Sequence, residues 1–460
     1  MASNSKNIAE LLNGDTTLTA TDIANDAVTA DKIATGAVVA DGLGAGSVTV
    51  TALGAGSVTA TKLGASAVTT AKINAGAVTV NKVTGDLGRR NMSGNGAMQV
   101  SQRTTSVSGI NNGNARVLDR HTFYASASAG THTLSQSEVV PSGEGFSHSL
   151  KIDCTSAGNY STAGDNAFLR IAPVEIQDCA KLSYGTSGAK KITLSFWTRA
   201  SYTGTFTALI VSHDTAQRNI IKTFTISSAD TWQKVVLTYD GDTTITTGST
   251  YFNGSAKQNM GISLDIWMGG GSNYTGGSQS DGVWRARSAH NTSVLEGNGT
   301  LFGTNTSHDF YITGVQVEQN DTATEFEHRS FGEELQACKR YYEKSFAYGT
   351  APANGSSTTG FAADPYVNTG VLLWSGPNSV TLRMEVEKRV QPTVIRYGNS
   401  QGYWGYINAG SSPSGSDNTH IFHANIFVQT FSSKELLIVN QASGNPLWSI
   451  KGHWTAESEH

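Results

Sequence analysis

Charged residues make up only 15% of this 460-residue chain, and the net charge is −4. A protein that holds DNA or RNA electrostatically needs a basic face, which this composition does not supply. Three cysteines, Cys154, Cys179 and Cys338, give neither a disulfide framework nor a CxxC metal pair, so buried thiols are expected. No run approaches the roughly 18 apolar residues of a membrane-spanning helix. Residues 1–12 have no apolar h-region, so neither membrane insertion nor a signal peptide is expected. GxSxG, HExxH and Walker motifs are missing, and no carboxylate pair stands out as a glycosidase would require. No catalytic residue, cofactor or metal is therefore expected. His420 and His423 sit three apart, which on a strand points them to opposite faces. Asp240-Gly241-Asp242 reads as a hairpin turn before it reads as a calcium ligand pair. Residues 1–122 contain no Phe, Tyr, Trp, Pro or Cys.

What fills that N-terminal stretch is a repeat. From Thr21 the chain keeps a ten-residue register: TDIANDAVTA, DKIATGAVVA, DGLGAGSVTV, TALGAGSVTA, TKLGASAVTT, AKINAGAVTV and a partial NKV. The third position is always aliphatic (Ile23, Ile33, Leu43, Leu53, Leu63, Ile73, Val83). The eighth is always valine (Val28, Val38, Val48, Val58, Val68, Val78). A large aliphatic residue every five positions fits neither an amphipathic helix nor a heptad coil. Short strands turning at Gly or Asn explain it. Two aliphatics per unit cannot offset an ordering cost of roughly 1–2 kcal/mol per residue in a lone chain. Three copies wound about one axis bury the stripes against each other, with Ala, Ser and Gly allowing close approach. The expectation is a homotrimeric β shaft whose core is those thirteen aliphatic residues; the bland alternative is a flexible linker, which has no reason to keep phase.

Repeats of this kind resemble the fibrous shafts of phage tail fibres, and the resemblance spans residues 17–83. A second resemblance follows at once. Residues 90–103 read RNMSGNGAMQVSQR and 118–121 read LDRH. They are similar to the opening of a domain common in phage tail fibres, with His121 where Trp is usual. GVQVE at 314–318, ATEFEHRSFGEEL at 323–335 and CKRYY at 338–342 resemble its close, and GHWTAE at 452–457 resembles the end of such fibres.

Between the motifs the sequence alternates as strands do, at 191–198, 205–212, 220–226, 232–239, 262–268 and 310–317, with turn signals at Asp240-Gly241 and at 269–271. That pattern predicts a β-sandwich of jelly-roll type, an architecture shared by many carbohydrate-binding modules. Trp197, Trp232, Trp267 and Trp284 are available to stack on sugar rings. Their place in alternating runs favours the core for Trp197 and Trp267, leaving Tyr274 in a Gly-rich loop as the surface candidate. Ser330 and Glu333 have capping-box spacing, predicting one helix over 332–344. Beyond 348, strands are expected at 370–374, 379–386, 393–397, 421–430, 435–440 and 446–454. Tyr403, Trp404 and Tyr406 in one loop and Asp417 in another are candidate receptor contacts.

The expected organisation is mostly β. It comprises an attachment segment (1–16), a fibrous shaft (17–87), a carbohydrate-binding-module-like sandwich (88–331), a helical connector (332–347) and a receptor-binding β tip (348–460). The expected role is that of a non-enzymatic, homotrimeric tail fibre subunit. It would be held by a tail or adaptor protein through its N-terminal segment and would bind host surface polysaccharide or lipopolysaccharide. A polysaccharide depolymerase and a structural spacer remain the alternatives.

Overall fold

The computed structural model describes residues 89–213, 218–244, 259–276, 282–286, 294–295, 301–354, 379–397, 405–408, 420–422, 426–430, 432–440, 447–451 and 453–459, with isolated positions of the N-terminal repeat. The chain divides into two compact units, Met1–Val83 and Thr84–His460. In the first, the described aliphatics Ile33, Val58, Leu63 and Val68 are 43–56% exposed on the single chain.

The second unit is mostly β. Its larger part is a sandwich of two antiparallel sheets. The strands are β1 (Ser106–Ile110), β2 (Gly113–Ala115), β3 (Thr122–Ala125), β4 (Gly130–Ser137), β5 (Ser149–Ala157), β6 (Asn166–Glu175), β7 (Ile192–Ala200), β8 (Gly204–Ser212), β9 (Arg218–Ile226), β10 (Gln233–Tyr239), β11 (Met260–Gly270), β12 (Arg285–Ala286) and β13 (Asp309–Glu318). One sheet runs β1-β4-β5-β13-β7-β10 and the other β12-β9-β8-β11-β6-β3-β2. Period-two alternation sends Leu194, Phe196, Phe310 and Ile312 from the first sheet against Phe123, Leu169, Phe206 and Ile266 from the second. Phe206 and Phe310 meet across the core with centroids 5.4 Å apart. Cys154, Cys179 and Cys338 are buried and free.

Two turn signals do not behave as the sequence predicts. Strand β10 ends at Tyr239 in one sheet, while the next described strand, β11, lies in the other. Among the described residues Asp240-Gly241 therefore closes no two-strand hairpin, and Asp242 is buried against Arg218 at 2.6 Å. Gly269 and Gly270 belong to β11 itself. They are glycine because space is short: a Cβ on Gly269 would fall into the Tyr160 hydroxyl.

The Ser330–Glu333 capping box is present, but the helix covers only Phe331–Lys339. It stops short of 344 because Tyr342–Lys344 (β14) is a strand. The described terminal strands are β15 (Ser379–Arg383), β16 (Thr393–Tyr397), β17 (Gly405–Asn408), β18 (His420–Phe422), β19 (Ile426–Thr430), β20 (Glu435–Asn440), β21 (Leu447–Lys451) and β22 (His453–Glu457). They form three small sheets, β14-β22-β16, β15-β20-β19 and β18-β17-β21. The runs expected as single strands at 421–430 and 446–454 are each divided in two, and 370–374 lies outside the described residues.

Candidate functional site

Strand order decides which side chains meet on the outer face of the six-stranded sheet. In β7, Leu194 and Phe196 point into the core, so Trp197 and Arg199 share the opposite face with Thr193 and Ser195. The expectation of a core Trp197 is thus corrected. Register places Tyr311 between Lys151 on β5 and Arg199 on β7. Gln233 pairs with Thr198, so Trp232, one residue earlier, falls opposite Arg199. The result is a cross-strand row Lys151–Tyr311–Arg199–Trp232, with Trp197 one step along β7. Tyr311 is 6% exposed and forms the floor. The Arg199 guanidinium lies 5.0 Å and the Lys151 ammonium 5.7 Å from its ring centroid, within cation–π range. Trp232 packs against it edge to face, with centroids 6.2 Å apart and planes at 65°. Both Trp197 and Trp232 are half-buried, each keeping indole surface in water.

The polar groups around these rings hold one another. Arg199 donates from Nε to the Asp230 carbonyl at 2.9 Å and from Nη2 to its carboxylate at 2.6 Å. Those two bonds fix Asp230 at a φ of 56°, uncommon for a residue with a side chain. Lys151 Nζ lies 3.3 Å from Asp153 and 3.2 Å from Asp309. Partial burial and the hydrogen bond to Asp153 push the Asp309 carboxyl up to about 6. The same hydrogen bond holds the Asp153 carboxyl below its usual range. Asp309 is therefore the carboxyl that takes up a proton as pH falls, donating to Asp153. Such mutually fixed donors and acceptors are already oriented for hydroxyl groups before any ligand arrives.

The other sheet also carries aromatics on its outer face, but they are spent on each other. Tyr124 stacks on Phe168 at 4.6 Å and 11°, and Phe168 on Trp267 at 4.8 Å and 12°. Tyr274 closes the row on Trp267 at 4.8 Å. Ring faces occupied by neighbouring rings cannot receive a sugar. Trp267 is also buried with Leu209, Val211, Val294 and Leu295 in a second cluster. Beside the row, Arg170 grips Asp265 at 2.7 and 2.8 Å. Ser263 donates to Asp265 at 3.2 Å and meets His213 Nε2 at 2.8 Å. Ser263, between the two groups, is 1% exposed.

The motif residues assemble a third array, and it is structural. Asp119 accepts from Arg103 at 3.1 Å and from Gln102 at 2.5 Å. Gln102 also donates to the Tyr342 carbonyl at 2.9 Å, and the Arg103 guanidinium lies 3.8 Å over the Tyr342 ring. Glu175 accepts from Arg340 at 2.7 and 2.8 Å and from Tyr341 at 2.7 Å. Arg120 reaches Glu459 at 3.1 Å, and Arg116 reaches Glu457 at 2.9 Å. The segments 90–103, 118–121, 338–342 and 453–459, far apart in sequence, thus form one seam tying the sandwich to sheet β14-β22-β16. Burial pushes the Asp119 carboxyl up to about 6 despite Arg103 and Gln102. For Glu459 burial is outweighed by Arg120, Arg103 and Arg116, which hold its carboxyl below the usual range.

Of the residues singled out from sequence, Tyr274 is half-buried against Trp267 and holds no free loop position. Tyr406 lies in strand β17, paired with Ile421 and Ile450, where a loop was expected. Tyr403, Trp404, Asp417 and His423 lie outside the described residues, as do the shaft aliphatics Ile23, Val28, Val38, Leu43, Val48, Leu53, Ile73, Val78 and Val83. Among the described residues no helix is long and apolar enough to cross a membrane, and no group of three His, Cys, Asp or Glu side chains is placed to hold a metal ion. The row Lys151–Tyr311–Arg199 was not foreseen. The parity of Trp197 and Trp232 could have been read, since both share a face with polar residues.

No protein-family model and no curated protein matches the chain. Among solved structures it overlaps the enzymatically active domain of bacteriophage CBA120 tailspike protein 4 at a TM-score of 0.25 and 13% identity, over 50% of this chain and 21% of that one. It overlaps a family 11 carbohydrate-binding module of Clostridium thermocellum, in complex with a mixed-linked tetrasaccharide, at 0.22 and 8%, over 49% of this chain and 99% of the module. A family 16 carbohydrate-binding module gives 0.20 and 11%, over 40% and 84%. The chain thus spans about a fifth of the tailspike domain it matches. Overlaps at these scores carry no argument about what the chain binds.

Proposed function

We propose that this chain is the subunit of a homotrimeric phage tail fibre that binds a host cell-surface glycan through the outer face of its six-stranded sheet. The observation that carries the binding is the pair of half-buried indoles, Trp197 and Trp232, beside polar groups fixed by one another. Flat apolar rings suit the C–H face of a sugar, and fixed donors and acceptors suit its hydroxyls. The fibre reading rests on the decapeptide register and on the motifs resembling tail fibres. The exposed aliphatics Ile33, Val58, Leu63 and Val68 fit a shaft that needs further copies to cover them. In this reading the N-terminal segment docks on a tail or adaptor protein, the protein resides in the virion, and it performs no catalysis.

The test is adsorption and turnover together. Full-length protein is incubated with polysaccharide from a susceptible host. Retention that is lost in Trp232→Ala, without new reducing ends, is the expected result. New reducing ends would establish a depolymerase in its place. Retention that survives Trp197→Ala and Trp232→Ala but is lost in Trp404→Ala would move the contact to the tip.

A further inference from the structure

The kind of glycan can be narrowed further, on the premise that the face just described is the binding face. We infer that it takes an uncharged oligosaccharide and contacts at least two consecutive sugar rings.

The absence of charge follows from the pairing. Around the rings, the cations Lys151, Arg199 and Lys234 lie among the carboxyl groups Asp153, Asp309 and Asp230. Lys151 is held by two of the carboxyls and Arg199 by the third. An acidic sugar would have to compete with these pairs for a cation. Lys234, opposite Trp197, is exposed, so its ammonium is well screened and offers little pull. A hydroxyl, by contrast, is served by the pairs as they stand: each carboxylate retains accepting capacity, and the guanidinium retains further N–H groups.

The two-ring length follows from register. Trp197 lies opposite Lys234, and Trp232 is two residues before Lys234. The two residues are therefore diagonal cross-strand neighbours, whose backbones lie roughly 7–8 Å apart, and their indoles stand side by side on the face. One ring cannot stack on both, whereas successive rings of a chain can, crossing the row between Arg199 and Lys234. Tyr311, buried below, supplies a rigid floor and packs against Trp232.

The test is calorimetric titration of the full-length protein with glucose, galactose and mannose tetrasaccharides, their monosaccharides, and uronic-acid tetrasaccharides. A neutral tetrasaccharide is expected to bind, with affinity changing less than about twofold between roughly 0.05 and 0.5 M salt. Its uronic-acid counterpart should bind about tenfold or more weaker. Trp197→Ala and Trp232→Ala should each cost about tenfold for the tetrasaccharide, while Trp232→Phe, which keeps a flat ring, recovers most of the affinity and guards against misfolding. Uronic-acid binding that is equal or tighter and falls steeply with salt overturns the inference and leaves the glycan reading intact. So does a neutral ligand insensitive to Trp197→Ala but abolished by Trp232→Ala, for the two-ring contact. Binding of no sugar in the panel overturns the face as a glycan site, and the inference with it.

Discussion

The Arg120 guanidinium sits 3.3 Å above the ring of Tyr341. This stack joins a residue of the sandwich's opening motif to the segment leaving the helix, and Arg120 then reaches on to Glu459. Both charges are nearly inaccessible, at 4% and 3% of their side-chain surface. Buried pairs of this type are dominated by what happens when one partner is lost.

Arg120→Met should therefore destabilise the protein by about 2–4 kcal/mol, since it removes the nearest cation to Glu459 and leaves only the more distant Arg103, at 3.8 Å, and Arg116. Arg120→Met with Glu459→Gln should recover much of that loss. Denaturant unfolding of the single and double variants measures the coupling; additive losses would mean that the two groups do not depend on each other.

Two buried histidines make the fold sensitive to acid. Burial lowers both His121 and His132 from 6.5 to about 4. Below 6.5 the unfolded chain takes up protons that the folded chain refuses, so stability present at neutral pH is lost as pH falls towards 4. Each histidine contributes about 1.4 kcal/mol per pH unit across that window. His132 stacks on Phe302 and meets the edge of Phe123. Asp119 and Asp309, raised to about 6, act in the opposite direction because the folded chain takes up their protons first. His132→Phe should therefore leave the protein less sensitive to acid than the unaltered chain between pH 6.5 and 4, as read from melting temperature against pH.

Gly269→Ala should cost about 1–3 kcal/mol, because the added methyl has no room beside Tyr160. Tyr160 in turn donates to the Phe302 carbonyl at 2.6 Å, so the neighbour cannot swing aside without breaking a buried hydrogen bond. An unchanged melting temperature would show that the strand yields there.

Val58→Asp separates the two readings of the repeat. On a single chain Val58 is 54% exposed, and a carboxylate there would be harmless. In a trimeric shaft it places three carboxylates near one axis and should weaken assembly. Native mass measurement should give about three times 48.4 kDa for the unaltered protein and lighter species for the variant.

Much of the fold is legible because it follows local rules. Alternation at 192–200 and 218–226, and the Ser330 capping box, depend on neighbours in sequence. The face on which Trp197 lies was legible too: it shares parity with Thr193, Ser195 and Arg199, while Leu194 and Phe196 take the other side. Tryptophan's general preference for cores points the other way, and this parity overrules it. The row Lys151–Tyr311–Arg199 was beyond reach, because strand order β5-β13-β7 brings together residues that no local pattern connects. The glycines at 269 and 270 carry a similar lesson: a glycine pair signals a turn locally, yet Gly269 answers to Tyr160, more than a hundred residues away, and Gly270 to Leu295 and Tyr274. The motif residues were visible from the start, but their chemistry turns out to be that of a clasp.

Strand β22 occupies the middle of its sheet, flanked by β14 and β16. Its two flanking strands emerge from the ribosome well before it does, and neither can pair with the other in its absence. Closing that sheet must wait until translation reaches His453–Glu457, with a loop-closure cost set by roughly a hundred intervening residues. Until then strands β14 and β16 lack the partner that they share, and their edges stay open to any other unpaired strand in that interval.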